Sequence, residues 1–80
     1  MREVYLLIEQ EEERQKKKLC RGYDCFTWLA FISEEVGELS MALTAYVFRR
    51  GPKSEIKRQA IQVAALAIKL AELYGDDDEG

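Results

Sequence analysis

The chain has 80 residues, 48% of them hydrophobic and 34% charged, with no histidine and a net charge of −3. That length supports one domain, and the acidic balance argues against a general nucleic-acid binder. No apolar stretch approaches the roughly 20 residues that span a bilayer, and the opening MREVYLLIEQEEE turns acidic too soon for a secretory signal, so a cytoplasmic protein without a membrane partner is expected.

The first segment, from Arg2 to about Leu19, carries Val4, Leu7 and Ile8 at helical spacing and then a dense charged block. Glu12 with Lys16 and Glu13 with Lys17 are acid-then-base pairs four residues apart, the orientation that best supports a helix. This helix is expected to bury its beginning and leave EQEEERQKKK largely in water, with its lysines either solvated or turned toward a phosphate-bearing ligand.

CRGYDC interrupts the pattern. Gly22 suits a helix stop, and Asp24 or Thr27 can cap the next helix. With no histidine, Cys20 and Cys25 cannot complete a tetrahedral zinc site within one chain. They read as free thiols, with a disulfide as the alternative.

The second helix is expected over Cys25 to Arg50, with Leu29, Ile32, Val36, Leu39, Leu43 and Tyr46 as a seam of alternating three- and four-residue steps. Gly51-Pro52 should end it, with Arg49 and Arg50 at the negative end of the helix dipole. Ser54 can cap a third helix from Glu55 to about Tyr74, with Ile56, Ala60, Val63, Ala67, Leu70 and Tyr74 as its seam. The short GPKS turn makes the last two helices an antiparallel hairpin. AIQVAALAIKLA is apolar nearly all round, which predicts burial on every side and therefore a second chain covering part of it. The fold class expected is all-α: three helices forming one domain over residues 1–75, completed by oligomerisation, with an acidic, flexible tail over 76–80.

Chemistry concentrates in FISEEVGELSMAL. Glu34, Glu35 and Glu38 fall within an arc of about 100° on a helix, and Gly37 costs roughly 1 kcal/mol there relative to alanine. The like charges of Glu34 and Glu38, four residues apart, are also unfavourable, and two such choices so close together suggest a gathered set of ligands, or close approach of another backbone or ligand at Gly37; a solvated acidic stripe is the plainer alternative. Mg²⁺ takes hard oxygen donors from a few carboxylates, keeps several waters and is completed by substrate phosphate.

ERQ in the first helix, WLAFISEEVGELSMAL and RQAIQVAALAIKLAE together resemble the MazG-like family of all-α nucleoside triphosphate pyrophosphohydrolases, over about three quarters of the chain. That family's hallmark is Glu-Glu-x-x-Glu on one helix and Glu-x-x-Asp on the next. The resemblance implies a homo-dimer or homo-tetramer, Mg²⁺ (or Mn²⁺) as cofactor, and hydrolysis of a nucleoside triphosphate to the monophosphate and pyrophosphate. It makes Glu35 and Glu38 metal ligands. The second pair departs from the hallmark: Gln59 stands at the glutamate position and Gln62 at the aspartate position, both without charge. Glu55, on the same stripe, could supply one carboxylate from a turn away. Glu34 is the candidate general base. Lys16, Lys17, Lys18 and Lys53 are candidates to balance phosphate charge, and Trp28 to stack on a base or simply to pack. The alternative function is a bundle of this type that has lost its metal chemistry and serves as a binding or structural module.

Overall fold

The computed structural model describes residues 1–18 and 25–74, leaving out the side chains of residues 16–18 and 25. Among them are three helices and no strand: α1 (Arg2–Lys18), α2 (Cys25–Arg49) and α3 (Lys53–Tyr74). The Cys20–Cys25 pairing, Gly22 and Asp24 as helix signals, and the acidic tail lie outside the described residues. No described helix is long and apolar enough to cross a membrane.

The backbones of α1 and α2 each pack on α3 and do not approach one another. The arrangement is therefore an open layer with α3 in the middle. Among the described residues the buried apolar core is small, made of Trp28, Ala42, Ala65 and Leu66.

The rotation of α2 differs from the expected seam. Leu29, Val36, Leu43 and Tyr46 are exposed, while Trp28 and Ala42 are buried and Ile32, Glu35 and Leu39 are half-buried between them. Both stripes advance by threes and fours, and α2 has no charged residue over most of its circumference, so spacing alone could not choose between them. On α3 the expected seam shifts similarly. Ala60, Ala67 and Tyr74 face solvent, and Gln59, Ala65 and Leu66 take the buried positions because α3 must meet two helices across a wide arc. In α1 the inner stripe runs further than expected, with Glu11 half-buried and Gln15 buried inside the charged block.

The α2–α3 turn places the left-handed residue at Arg50, with φ of 59°, rather than at glycine. Gly51 precedes Pro52, and the proline ring pushes the residue before it toward extended conformations, so the reversal falls one residue earlier. The Gly51 N–H donates to the Ala45 carbonyl at 2.9 Å. A Cβ on Gly51 would lie 3.0 Å from the Ala45 Cβ and 3.2 Å from its carbonyl carbon. α3 begins at Lys53, two residues before the expected start, and the Glu55 N–H donates to the Pro52 carbonyl at 3.2 Å. Ser54 thus lies inside the helix, behind a proline whose fixed φ suits a first turn.

Opposite effects are expected at neighbouring positions of this turn. Arg50→Gly relieves a left-handed non-glycine residue and should stabilise the fold by about 1 kcal/mol, or about 4–8 °C in Tm. Gly51→Ala should lower Tm, because its new methyl meets helix backbone. Thermal unfolding followed by circular dichroism reads both.

Candidate functional site

The splay of α1 and α2 over α3 opens a cleft of about 710 Å³. Its floor is α3, through Gln59, Gln62 and Leu66. One wall is α1, through Glu11, Arg14 and Gln15; the other is α2, through Phe31, Glu34, Glu35 and Glu38. Each wall follows from helical spacing. Glu11 and Gln15 continue the inner stripe of α1, and Phe31, Glu34, Glu35 and Glu38 share one face of α2.

Polar contacts organise the floor and the α1 wall. Gln15 Nε2 donates to Glu11 Oε2 at 3.1 Å and to the Gln62 carbonyl at 3.3 Å, tying α1 to α3. Gln59 Nε2 donates to Glu55 Oε2 at 3.2 Å. Since an ionised carboxylate only accepts, that bond fixes which end of the amide is the oxygen. Gln59 is 6% exposed, and its Oε1 has no hydrogen-bond partner; Glu35 Oε1 is likewise cut off from solvent without one. Each orphaned acceptor costs about 1–3 kcal/mol.

Arg14 Nε donates to Glu11 Oε1 at 2.9 Å, and Arg58 Nε to Glu55 Oε1 at 3.4 Å, each pair closed by a second guanidinium bond to the other carboxylate oxygen. These ion pairs span three residues on one helix and are partly solvated, so they are worth little to stability. Their use is placement. Arg14 and Arg58 also line a shallower cleft of about 500 Å³ that carries Lys57, so the acidic cleft has a basic border.

The Glu35 carboxyl is held above its ordinary range, first by burial and then by Glu38, Glu34 and Glu11, with Arg14 opposing. Glu55 is held below it by the hydrogen bonds from Arg58 and then Gln59. Arg14 is raised by its bond to Glu11 and, more weakly, by the charges of Glu11 and Glu35.

The candidates from sequence divide clearly. Glu34, Glu35, Glu38, Gln59 and Gln62 come together in the cleft. Glu55 does not line it; its carboxylate is turned to Arg58 and Gln59. Lys53 is exposed away from it, and the side chains of Lys16, Lys17 and Lys18 lie outside those described. Trp28 is 6% exposed and packs edge-on against Phe31, with ring centroids 6.0 Å apart. It supports the cleft from behind, and Phe31 is the aromatic side chain that reaches it.

Sequence reasoning missed Glu11, Arg14, Gln15, Phe31 and Arg58. The stripe Val4–Ile8–Glu11–Gln15, stepping by four, three and four, was the signal for the α1 wall. The two arginines stand inside the blocks ERQ and RQAIQVAALAIKLAE, but each has a carboxylate three residues earlier on its own helix, and their spacing does not show that they border the cleft.

Tested against a divalent cation, the donor set fits in part. The two orphaned oxygens, Glu35 Oε1 and Gln59 Oε1, come from facing helices and suit a hard cation that keeps most of its waters. Among the described residues, however, no three acidic or sulfur side chains are grouped closely enough to hold a metal by themselves. Comparison with protein-family models, curated proteins and solved structures finds no match.

A raised carboxyl pKa means that folding favours the protonated form. That contribution is fully present below the ordinary value of 4.5 and is lost as pH rises through the folded value. Ionised Glu35 is then a cost at neutral pH, and Glu35→Gln should raise Tm at pH 7. The gain should shrink toward zero as pH falls below 4.5; thermal unfolding across that range reads it.

Proposed function

We propose that this cleft binds a divalent cation, Mg²⁺ or Mn²⁺, together with a nucleoside triphosphate or related pyrophosphate compound. The chain is then a homo-oligomeric pyrophosphohydrolase of the MazG-like type with a weakened second ligand pair. The observation that carries this reading is that Glu35 and Gln59, on the two helices that resemble the two halves of that family's metal motif, line one cleft, each with an orphaned oxygen.

In this reading Glu35 and Glu38 hold the cation with the Gln59 oxygen and ordered water, and Gln62 borders the site. A bound cation supplies charge neutralisation at the phosphates and a more acidic water. The chain's own residues do the rest. Arg14 and Arg58, together on the border that α1 and α3 form, release their carboxylates and meet the phosphate oxygens, for which a planar guanidinium is well shaped. Phe31 offers a face to the nucleoside. Glu34, exposed on the rim, accepts the proton of the attacking water. The oxygen of that water bonds to the α-phosphorus, the anhydride bond to the β-phosphate breaks, and pyrophosphate leaves.

The lack of a three-acid group among the described residues favours a second reading, the same cleft as a nucleotide-binding module without turnover. Calorimetric titration with Mg²⁺ and Mn²⁺, with and without a non-hydrolysable triphosphate analogue, separates these readings from none. Metal-dependent analogue binding that is lost in Glu38→Gln is expected. Turnover of triphosphates to monophosphates then marks the hydrolase, and binding without turnover the module. No heat from a folded chain contradicts both. Restoring the charges with Gln59→Glu and Gln62→Asp should tighten Mg²⁺ binding about tenfold or more, because ligand charge sets cation affinity.

A further inference from the structure

The shallower groove of about 500 Å³ lies beside the acidic cleft, nearer the start of α1 and α3. Leu7 of α1 and Ile61 of α3, both half-buried, form its apolar base. Around them stand three cations, Arg14, Lys57 and Arg58, with Glu11 as the carboxylate of the lining. Even when Glu55 is set against Arg58, Lys57 is left over. It is exposed and has no carboxylate partner among the described residues. In a chain of net charge −3 this is a local excess of positive charge.

The two arginines are presented alike. Glu11-x-x-Arg14-Gln15 on α1 and Glu55-x-x-Arg58-Gln59 on α3 repeat one pattern, in which the carboxylate holds the arginine three residues on and the glutamine four residues on. Each guanidinium uses Nε and one terminal nitrogen for that bond, which leaves its other terminal nitrogen to donate elsewhere. Ser54, which also lines the groove, is the second residue of α3, so the positive end of that helix dipole adds to the same potential.

We propose that this groove is a second binding site, for a small organic anion with an aliphatic body. The body lies on Leu7 and Ile61, and a carboxylate or phosphate head meets Lys57 and the remaining nitrogens of Arg14 and Arg58. Size sets the class of ligand. From Leu7 to Arg14 the α1 side runs about 10 Å, and the volume is that of a small-molecule site with an apolar lining and a few polar groups. The body is aliphatic because no aromatic ring lines the groove among the described residues, whereas Phe31 lines the cleft. Charge sets the address. A bare anion is repelled from the cleft by Glu34, Glu35 and Glu38 and has cations to meet only in the groove. The site therefore needs no metal, and it does not rest on the proposed function.

NMR titration of the isotope-labelled full chain with hexanoate and with hexyl phosphate, in buffer free of divalent cations, tests the proposal. Saturable amide shifts at Leu7, Ser54, Lys57 and Ile61 are expected, with a Kd on the order of a millimolar for probes so small. Either probe supports the site, and the tighter of the two names the head group. Lys57→Arg should keep the Kd within about twofold, and Lys57→Glu should raise it about tenfold or more, because it sets a like charge against the head. Lys57 is exposed, so both variants should keep helical circular dichroism. No saturable shift at these residues overturns the proposal. So does inorganic phosphate or hexanol that binds as well as the probes, a Kd indifferent to Lys57→Glu, or shifts confined to exposed apolar residues of α2 such as Leu29, Met41 and Phe48.

Discussion

Two helices lean on a third and not on each other. The rest of the molecule depends on that packing. Because α1 and α2 share only α3, the space between them stays open, and its floor is the polar stripe of α3 that would be core in a closed bundle. Gln59 is buried there without a donor for its oxygen, at a cost near that of a lost hydrogen bond. The same splay limits the buried apolar core among the described residues to a few side chains, and much of the apolar surface of α2, such as Leu29, Met41 and Phe48, stays exposed.

α2 therefore faces two ways. Its charged arc borders the cleft, and its uncharged arc divides between α3 and the outside. A helix with so little polar surface is stable in water only when most of it is covered. Glu35 lies where the charged arc meets the inner stripe. Its raised pKa, with burial as the first cause and neighbouring glutamates next, comes from that position. The destabilised carboxylate and the orphaned amide oxygen both favour a cation or donor entering from the cleft.

Much of the architecture was legible in the sequence. The three helices, their approximate ends and the short turn came from periodicity, charge pairs and Gly51-Pro52. Their rotation was not. On α2 the stripe through Leu29 and Val36 and the stripe through Trp28 and Leu39 are equally regular, and only the position of α3 distinguishes them. The glutamates, and the amides to which the resemblance pointed, line one cleft because spacings of three and four keep residues on one face of any straight helix. Arg14 and Arg58 were hidden by carboxylates three residues away, and the exclusion of Glu55 from the cleft depended on those same ion pairs.

The central claim is that a cation seeks the floor of the cleft, between Glu35 and Gln59. Paramagnetic broadening by Mn²⁺ in an isotope-labelled sample tests it most directly, because the side-chain amide signals of Gln15, Gln59 and Gln62 report from inside. Broadening that begins at the Gln59 and Gln62 amides and spreads outward is the predicted result. Broadening that spares them, and tracks exposed carboxylates such as Glu3 and Glu72 instead, would contradict the account.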